Sequence, residues 1–210
     1  MTAALAKAVT SPDAVALPME DYGGKVSSVD VHVSASDLEA MDRLVAAVHE
    51  LVTTPGYRDH VLASAPALAR APMQPDFGLF SGFDFHLTAD GPKLIEINTN
   101  AGGAFYGALM DDHRHAKGVA GAHPLSYWSE LFIRQIKSEW ALAGKGTLAT
   151  VAIVDDTPDQ QFLRLEFQLA ARALREAGIN ALVLAPQGLT FREGVLRAGR
   201  IPVDLVYNRL

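Results

Sequence analysis

The chain has 210 residues, 49% of them hydrophobic and 20% charged, with a formal net charge of −6, the composition of a globular protein of one or two small domains. The acidic balance argues against a nucleic-acid partner, and the lack of any cysteine excludes disulfides, thiolate catalysis and thiolate metal ligands. No apolar run approaches the ~20 residues of a spanning helix, and residues 1–19 lack the apolar segment of a signal peptide, so a cytoplasmic protein with no membrane partner is expected.

Residues 1–30 mix Ala, Pro, Ser and Gly without period and read as irregular. Ser36-Asp37-Leu38-Glu39 has the form of a capping box. It opens a helix with an apolar stripe at Met41, Val45, Val48 and Val52, stopped by Thr53-Thr54-Pro55-Gly56. A second, Ala-rich helix is expected over 58–68, limited by Pro66, and a loop over 71–75. Residues 83–103 read as two strands joined by a tight turn, with glycines beyond, and a Gly- and His-rich connection follows. A helix over 124–142 places Trp128, Phe132, Ile136 and Trp140 on one core-facing side. Composition changes at Ala143-Gly144-Lys145-Gly146-Thr147, taken as a domain boundary.

Beyond it, 149–154 is a continuous apolar run ending in Asp155-Asp156, the pattern of a buried parallel strand. A helix over 159–177 carries a stripe at Leu163, Phe167, Ala170, Leu174 and Ala177, and Gly178 ends it. A strand over 181–184, a hairpin across 189–201 and a last strand over 203–207 follow. Strand, helix, strand at this spacing predicts a right-handed βαβ unit. The fold class expected is α/β.

The strand pair carries the chemistry. Alternation puts Asp84, His86 and Thr88 on one face of the first strand and Phe83, Phe85 and Leu87 on the other. In the second, Glu96 and Asn98 share a face, with Ile95 and Ile97 opposed. Register decides whether the two polar sets meet. A two-residue loop at Asp90-Gly91 would pair His86 with Ile95 and separate them. A three-residue loop, Asp90-Gly91-Pro92, pairs His86 with Glu96 and Asp84 with Asn98, and is the register expected. A carboxylate and an amide oxygen two residues apart suit a hard cation, and Mg²⁺ commonly bridges one or two carboxylates to substrate phosphates. Gly102 and Gly103 allow close backbone approach or positive φ beside the site. On a generic hairpin the same residues would be a solvated polar face.

The run Leu94-Ile95-Glu96-Ile97-Asn98-Thr99-Asn100-Ala101-Gly102-Gly103 resembles the metal-binding strand of ATP-grasp ligases. In that family a Glu and an Asn, two apart, hold the magnesium ions bound to the ATP phosphates. The resemblance implies Glu96 and Asn98 as catalytic metal ligands, and Asp84 as a third ligand from the neighbouring strand. Asn100, Gly102 and Gly103 would border the nucleotide. The metal strand precedes the βαβ unit, an order similar to circularly permuted ATP-grasp proteins such as those like glutathionylspermidine synthase. The resemblance divides the chain into residues 1–145, the metal-binding part of an ATP-grasp domain, and 146–210, the start of a Rossmann-like substrate-side domain. It implies ATP and Mg²⁺ as cofactors and a carboxylate and an amine as substrates, with Asn208 and Arg209, at the end of the last strand, binding substrate.

One departure is that the family holds its nucleotide with lysines in a Phe-Lys-Pro-like context. None of Lys7, Lys25, Lys93, Lys117, Lys137 and Lys145 lies in one, and no Gly-x-x-x-x-Gly-Lys loop is present. A truncated ligase or fragment is therefore expected. The rival is a non-catalytic binding or assembly module whose incomplete sheet pairs with a second copy or another polypeptide. A metal-dependent nuclease using Asp84 and Glu96 lacks the basic patch it would need.

Other candidates carry blander readings. Asp111, Asp112, His113, His115 and His123 form a cluster better read as a solvated mobile loop than as a metal site. His86 is a candidate base or partner of Glu96, while His32, His49 and His60 read as surface residues. Asp155 and Asp156 stand where ligands of open α/β sheets bind, but a turn or helix cap is preferred. Arg164, Arg172 and Arg175 read as a solvated helix face.

Overall fold

The computed structural model describes residues 31–70, 78–143 and 146–210. The irregular stretch expected over 1–30 and the loop over 71–75 lie outside the described residues. Helices and small parallel and antiparallel sheets are combined, a mixed α/β fold. Contacts divide the chain into two compact units, Ser28–Ala101 and a second containing Gly102–Leu210. The boundary expected at 145/146 marks a change of composition; the one at 101/102 marks a change of contacts.

In the first unit, helix α1 spans Ala35–Thr53. Its cap is Ser34, two residues before the expected one: Ser34 Oγ accepts from Asp37 N at 3.1 Å and donates to Asp37 Oδ2 at 2.7 Å. Ser34 and Asp37 have the spacing of a capping box, so the local signal was right in kind and displaced in register. Met41, Val45 and Val48 are half-buried as the stripe requires, whereas Val52 is exposed. Pro55 does not merely stop α1; it is the first residue of α2, Pro55–Leu62, where its missing N–H costs nothing. A short α3, Ala67–Arg70, follows, so the expected single helix is broken around Pro66.

Strands β1, Gly82–Thr88, and β2, Gly91–Asn98, form an antiparallel pair, on which α1 packs. No residue of this unit whose burial is described is fully buried.

The second unit opens with α4, Ala104–Ala116, where a connection was expected. Phe105, Tyr106 and Ala108 bury its first turns. Helix α5, Leu125–Leu142, buries Phe132, Ile136 and Trp140 of the predicted stripe, while Trp128 is half-buried. Phe105 and Phe132 meet edge to face, centroids 5.3 Å apart.

Strand β3, Thr150–Val154, is buried throughout. It is followed by α6, Arg164–Glu176, and β4, Asn180–Leu184. Gly178, at φ +78°, lets the chain leave α6: Gly178 N donates to Arg175 O and Ile179 N to Leu174 O, a Schellman closure. Strands β5 (Leu189–Arg192), β6 (Val195–Ala198) and β7 (Ile201–Pro202) make a small antiparallel sheet. Strand β8, Leu205–Asn208, returns to the far side of β3. The parallel sheet has the order β4-β3-β8, so the strand order reverses at β3.

Both faces of this sheet are covered. Ala152, Val154 and Val203 pack with Leu182, Leu184, Leu189, Leu196 and Ala198 of the β4–β6 region. On the other face Tyr207 approaches Phe132 of α5, centroids 6.1 Å apart, and α6 packs on β3 and β4. Among the described residues no helix is long and apolar enough to cross a membrane.

Candidate functional site

The register of β1 and β2 sets the polar face. The turn is neither of the two expected. Thr88 pairs with Gly91, leaving Ala89-Asp90 as a two-residue loop. Thr88 Oγ1 fixes it, donating to Gly91 O at 2.8 Å and accepting from Asp90 N at 3.2 Å. Gly91 supplies the positive φ, +94°. His86 therefore pairs with Lys93, not Glu96. Continued without interruption, this register would set Asp84 against Ile95 and split the polar sets. A β-bulge prevents that: Phe85 pairs with Leu94 and Asp84 with Glu96, so Ile95 is the extra residue.

The consequence is one polar face carrying Asp84, Glu96 and Asn98. Asp84 and Glu96 are direct cross-strand partners, and Asn98 is opposite Gly82, whose lack of a side chain leaves the Asn98 amide uncrowded. Asn98 Nδ2 donates to Glu96 Oε1 at 2.8 Å, turning its own carbonyl oxygen away from that bond. All three side chains are exposed, while Phe83, Phe85 and Leu94 are half-buried. Two carboxylates directly opposed repel each other, an arrangement that a divalent cation would relieve. Two carboxylates and an amide oxygen, open to water, are the donor set Mg²⁺ takes when it keeps waters and phosphates as its other ligands. Among the described residues there is no group of three or more His, Asp or Glu side chains able to hold a metal, so the amide oxygen is essential to the set. His86, opposite Lys93, is further along the strand than the expected partnership with Glu96.

A second polar constellation lies in the unit beginning at Gly102, at the carboxyl end of the parallel sheet. Its centre is Glu166 of α6, a carboxylate 6% exposed. Its Oε2 accepts from Gly103 N and its Oε1 from Phe105 N, each at 2.7 Å. These are orphan donors of the first turn of α4, whose positive dipole end favours the charge. Gly103 is the cap at φ +94°. A Cβ at Gly102 would collide with Leu163 Cδ1 and lie 2.9 Å from Arg209 Nη2 and 3.6 Å from Glu166 Oε2. The close approach for which Gly102 is needed is thus to the chain's own side chains, and the Gly103 amide is bonded internally.

Arg209 is half-buried, and its backbone N donates to Val154 O at 2.8 Å. Its guanidinium carbon is 5.5 Å from the Tyr207 ring centre. Burial pushes the Tyr207 phenol up to about 12, with Arg209 opposing and the Glu166 charge adding to the rise. Asn208 is exposed and accepts from Leu210 N at 3.0 Å. Asp155 is buried and closes the turn after β3, accepting from Thr157 N at 3.0 Å and Gln161 Nε2 at 3.1 Å.

The chain matches no protein-family model and no curated protein.

Of the cluster read as a loop, Asp111, Asp112, His113 and His115 lie on α4, while His123 stands in the connection to α5. Asp111 and Asp112 end the buried side of α4 and clasp the start of α5. Asp111 Oδ2 accepts from His123 N at 2.9 Å and Trp128 Nε1 at 3.0 Å, and Asp112 Oδ1 accepts from Leu125 N at 2.9 Å. The His123 backbone bond, with those of Trp128 and the His123 ring, holds the Asp111 carboxyl below its ordinary value against a desolvation cost. The His123 ring stacks on Tyr127, centroids 4.2 Å apart. His113 and His115 lie on α4 two residues apart, on different sides of a helix.

Glu166 and Tyr207 were missed from sequence. Glu166 falls three residues after Leu163 and four before Ala170, inside the apolar stripe of α6. A carboxylate at a stripe position was the available signal.

Proposed function

We propose that the chain is a cytoplasmic Mg²⁺-dependent carboxylate–amine ligase of the ATP-grasp type, or part of one. ATP phosphorylates a carboxylate, and an amine displaces phosphate from the acyl phosphate to form the amide. The observation that carries the reading is the bulge at Ile95, which makes Asp84 and Glu96 direct partners beside Asn98. A bulge re-aims side chains, and this one gathers three hard donors on an exposed face.

Asp84, Glu96 and the Asn98 amide oxygen would hold the ion, which when bound neutralises phosphate charge. Glu96 is fixed for that role by the hydrogen bond from Asn98. No side chain is required as nucleophile, since the substrate carboxylate is the attacking group, in keeping with a cysteine-free chain. Asn208 and Arg209 would take the substrate's anionic group. Asn100 would border the nucleotide.

A second reading, a non-catalytic assembly module pairing with another copy or polypeptide, is favoured by one observation: the Gly103 amide is already given to Glu166, so it does not await a phosphate. Mg²⁺-dependent ADP formation with an acid and an amine separates the two. Glu96→Gln is expected to lower that turnover at least ~100-fold, the loss of a charged group that acts at the transition state, with an unchanged circular-dichroism spectrum. Equal turnover in the variant removes Glu96 from the reaction.

A further inference from the structure

We propose that Glu166 is a positioning residue that holds the Gly102 turn and the Arg209 guanidinium together as a receptor for the carboxylate or phosphate group of a small substrate. The inference deepens the substrate-binding role given above to Arg209 and rests on that reading. Open parallel sheets bind ligands beyond the carboxyl ends of their strands, where the strand order reverses. In this sheet that place lies between β3 and β8, and Arg209 immediately follows β8.

Three neighbours fix the guanidinium there. The Tyr207 ring underlies it, and its Nη2 lies where any side chain on Gly102 would go. Glu166 Oε2 converges on the same point, and both Glu166 oxygens tie α6 to the backbone that carries Gly102 and Gly103. The Glu166 carboxylate is thus anchored by two backbone donors, so its position, and not only its charge, is set by the fold. The planar fork of Arg offers five donors, enough for internal neighbours and a bidentate anion together. Arg209 is half-buried and its Nε is buried, so an anion would meet the fork at its Nη end. A lysine could supply the charge at this point but not the fork.

The test uses the full chain, without Mg²⁺ or ATP, and follows the Arg209 Nε–H and the Gly103 and Phe105 amide resonances during titration with acetate and, separately, inorganic phosphate. A saturable shift of all three with either anion is expected, and the tighter of the two names the group recognised. R209K should bind at least ~10-fold more weakly, as the bidentate pair is lost. E166Q should weaken binding similarly. Because E166Q sets an amide group against two N–H donors and threatens the fold, G102A is the second variant. It keeps both charges and pushes the fork aside, and it too should weaken binding. No saturable shift in the wild type overturns the proposal. So does wild-type affinity in R209K and G102A, even where E166Q fails to fold, since Glu166 would then be structural only. Anion binding without Mg²⁺-dependent ADP formation would sink the ligase reading and leave this receptor standing; turnover without anion binding would do the reverse.

Discussion

Tyr207 is a phenol whose ionisation the fold moves well away from its ordinary value. Its ring is buried between Phe132 and the Arg209 guanidinium, and a phenolate there would lose its hydration. Burial therefore raises its ionisation to about 12, above the ordinary ~10. The unfolded chain releases this proton first. The stabilisation is complete below pH ~10 and is lost as pH rises through ~12, a span equivalent to roughly 2 to 3 kcal/mol. Phenolate absorbance should show a tyrosine titrating near pH 12 that is missing from Y207F. Urea midpoints should fall across the same interval in the wild type, and this component should vanish in Y207F. Glu166, its neighbour, shows why such residues escape a reading of sequence. Its partners are backbone amides 61 and 63 positions away, and a backbone N–H leaves no mark in the residue alphabet.

The elements were legible in proportion to how local their causes are. Strand β3 was plain because an unbroken apolar run is what a strand buried on both faces needs. The end of helix α6 was plain because Phe167, Ala170 and Leu174 are buried and Gly178 supplies the left-handed exit, although Ala177 is exposed; its start was placed too early, since turns from Thr157 to Gln161 and from Gln161 to Arg164 come first. Helix α4 was hidden: Gly107 interrupts it, and its buried side is short. The register of β1 and β2 was hidden too. It depends on a Thr88 hydrogen bond within the turn and on a bulge at Ile95, neither of which alternation can reveal. The polar face itself was predicted, although by pairs that do not form. At the joint of α4 and α5, Pro124 offers no side-chain cap, so Asp112 supplies one from the preceding helix by accepting from Leu125 N. D112A should cost about 1 kcal/mol, as other lost caps do. D111A should cost more, roughly 1 to 3 kcal/mol, because Trp128 Nε1 and His123 N lose their acceptor. Chemical denaturation of the two variants measures the difference, and equal losses would mean that water replaces the Asp111 carboxylate.

At the scale of the molecule, apolar burial is distributed unequally. Every buried residue among the described ones lies between Phe105 and Tyr207. The residues before Gly102 whose burial is described contribute none, and Leu38, Leu51, Ile95 and Ile97 there are exposed. Hydrophobic burial is the main favourable term in folding, so the two compact units should open independently and at different cost. Amides of β1 and β2 should exchange with solvent at least ~100-fold faster than those of β3 and β4, a gap of about 3 kcal/mol in opening free energy. That difference makes the proposed metal face measurable without turnover. A ligand that binds only the closed strand pair protects it by RT ln(1 + [L]/Kd), about 2.7 kcal/mol at a hundred-fold excess over Kd. Mg²⁺ with ATP should therefore slow exchange across β2 by about two orders of magnitude while leaving β3 unchanged. Glu96→Gln should abolish the slowing by removing a ligand, even in a chain that turns nothing over. Uniform exchange across both units would show that the strand pair draws its stability from the same cooperative transition as the parallel sheet. Protection of β2 that survives Glu96→Gln would move the ion away from this face.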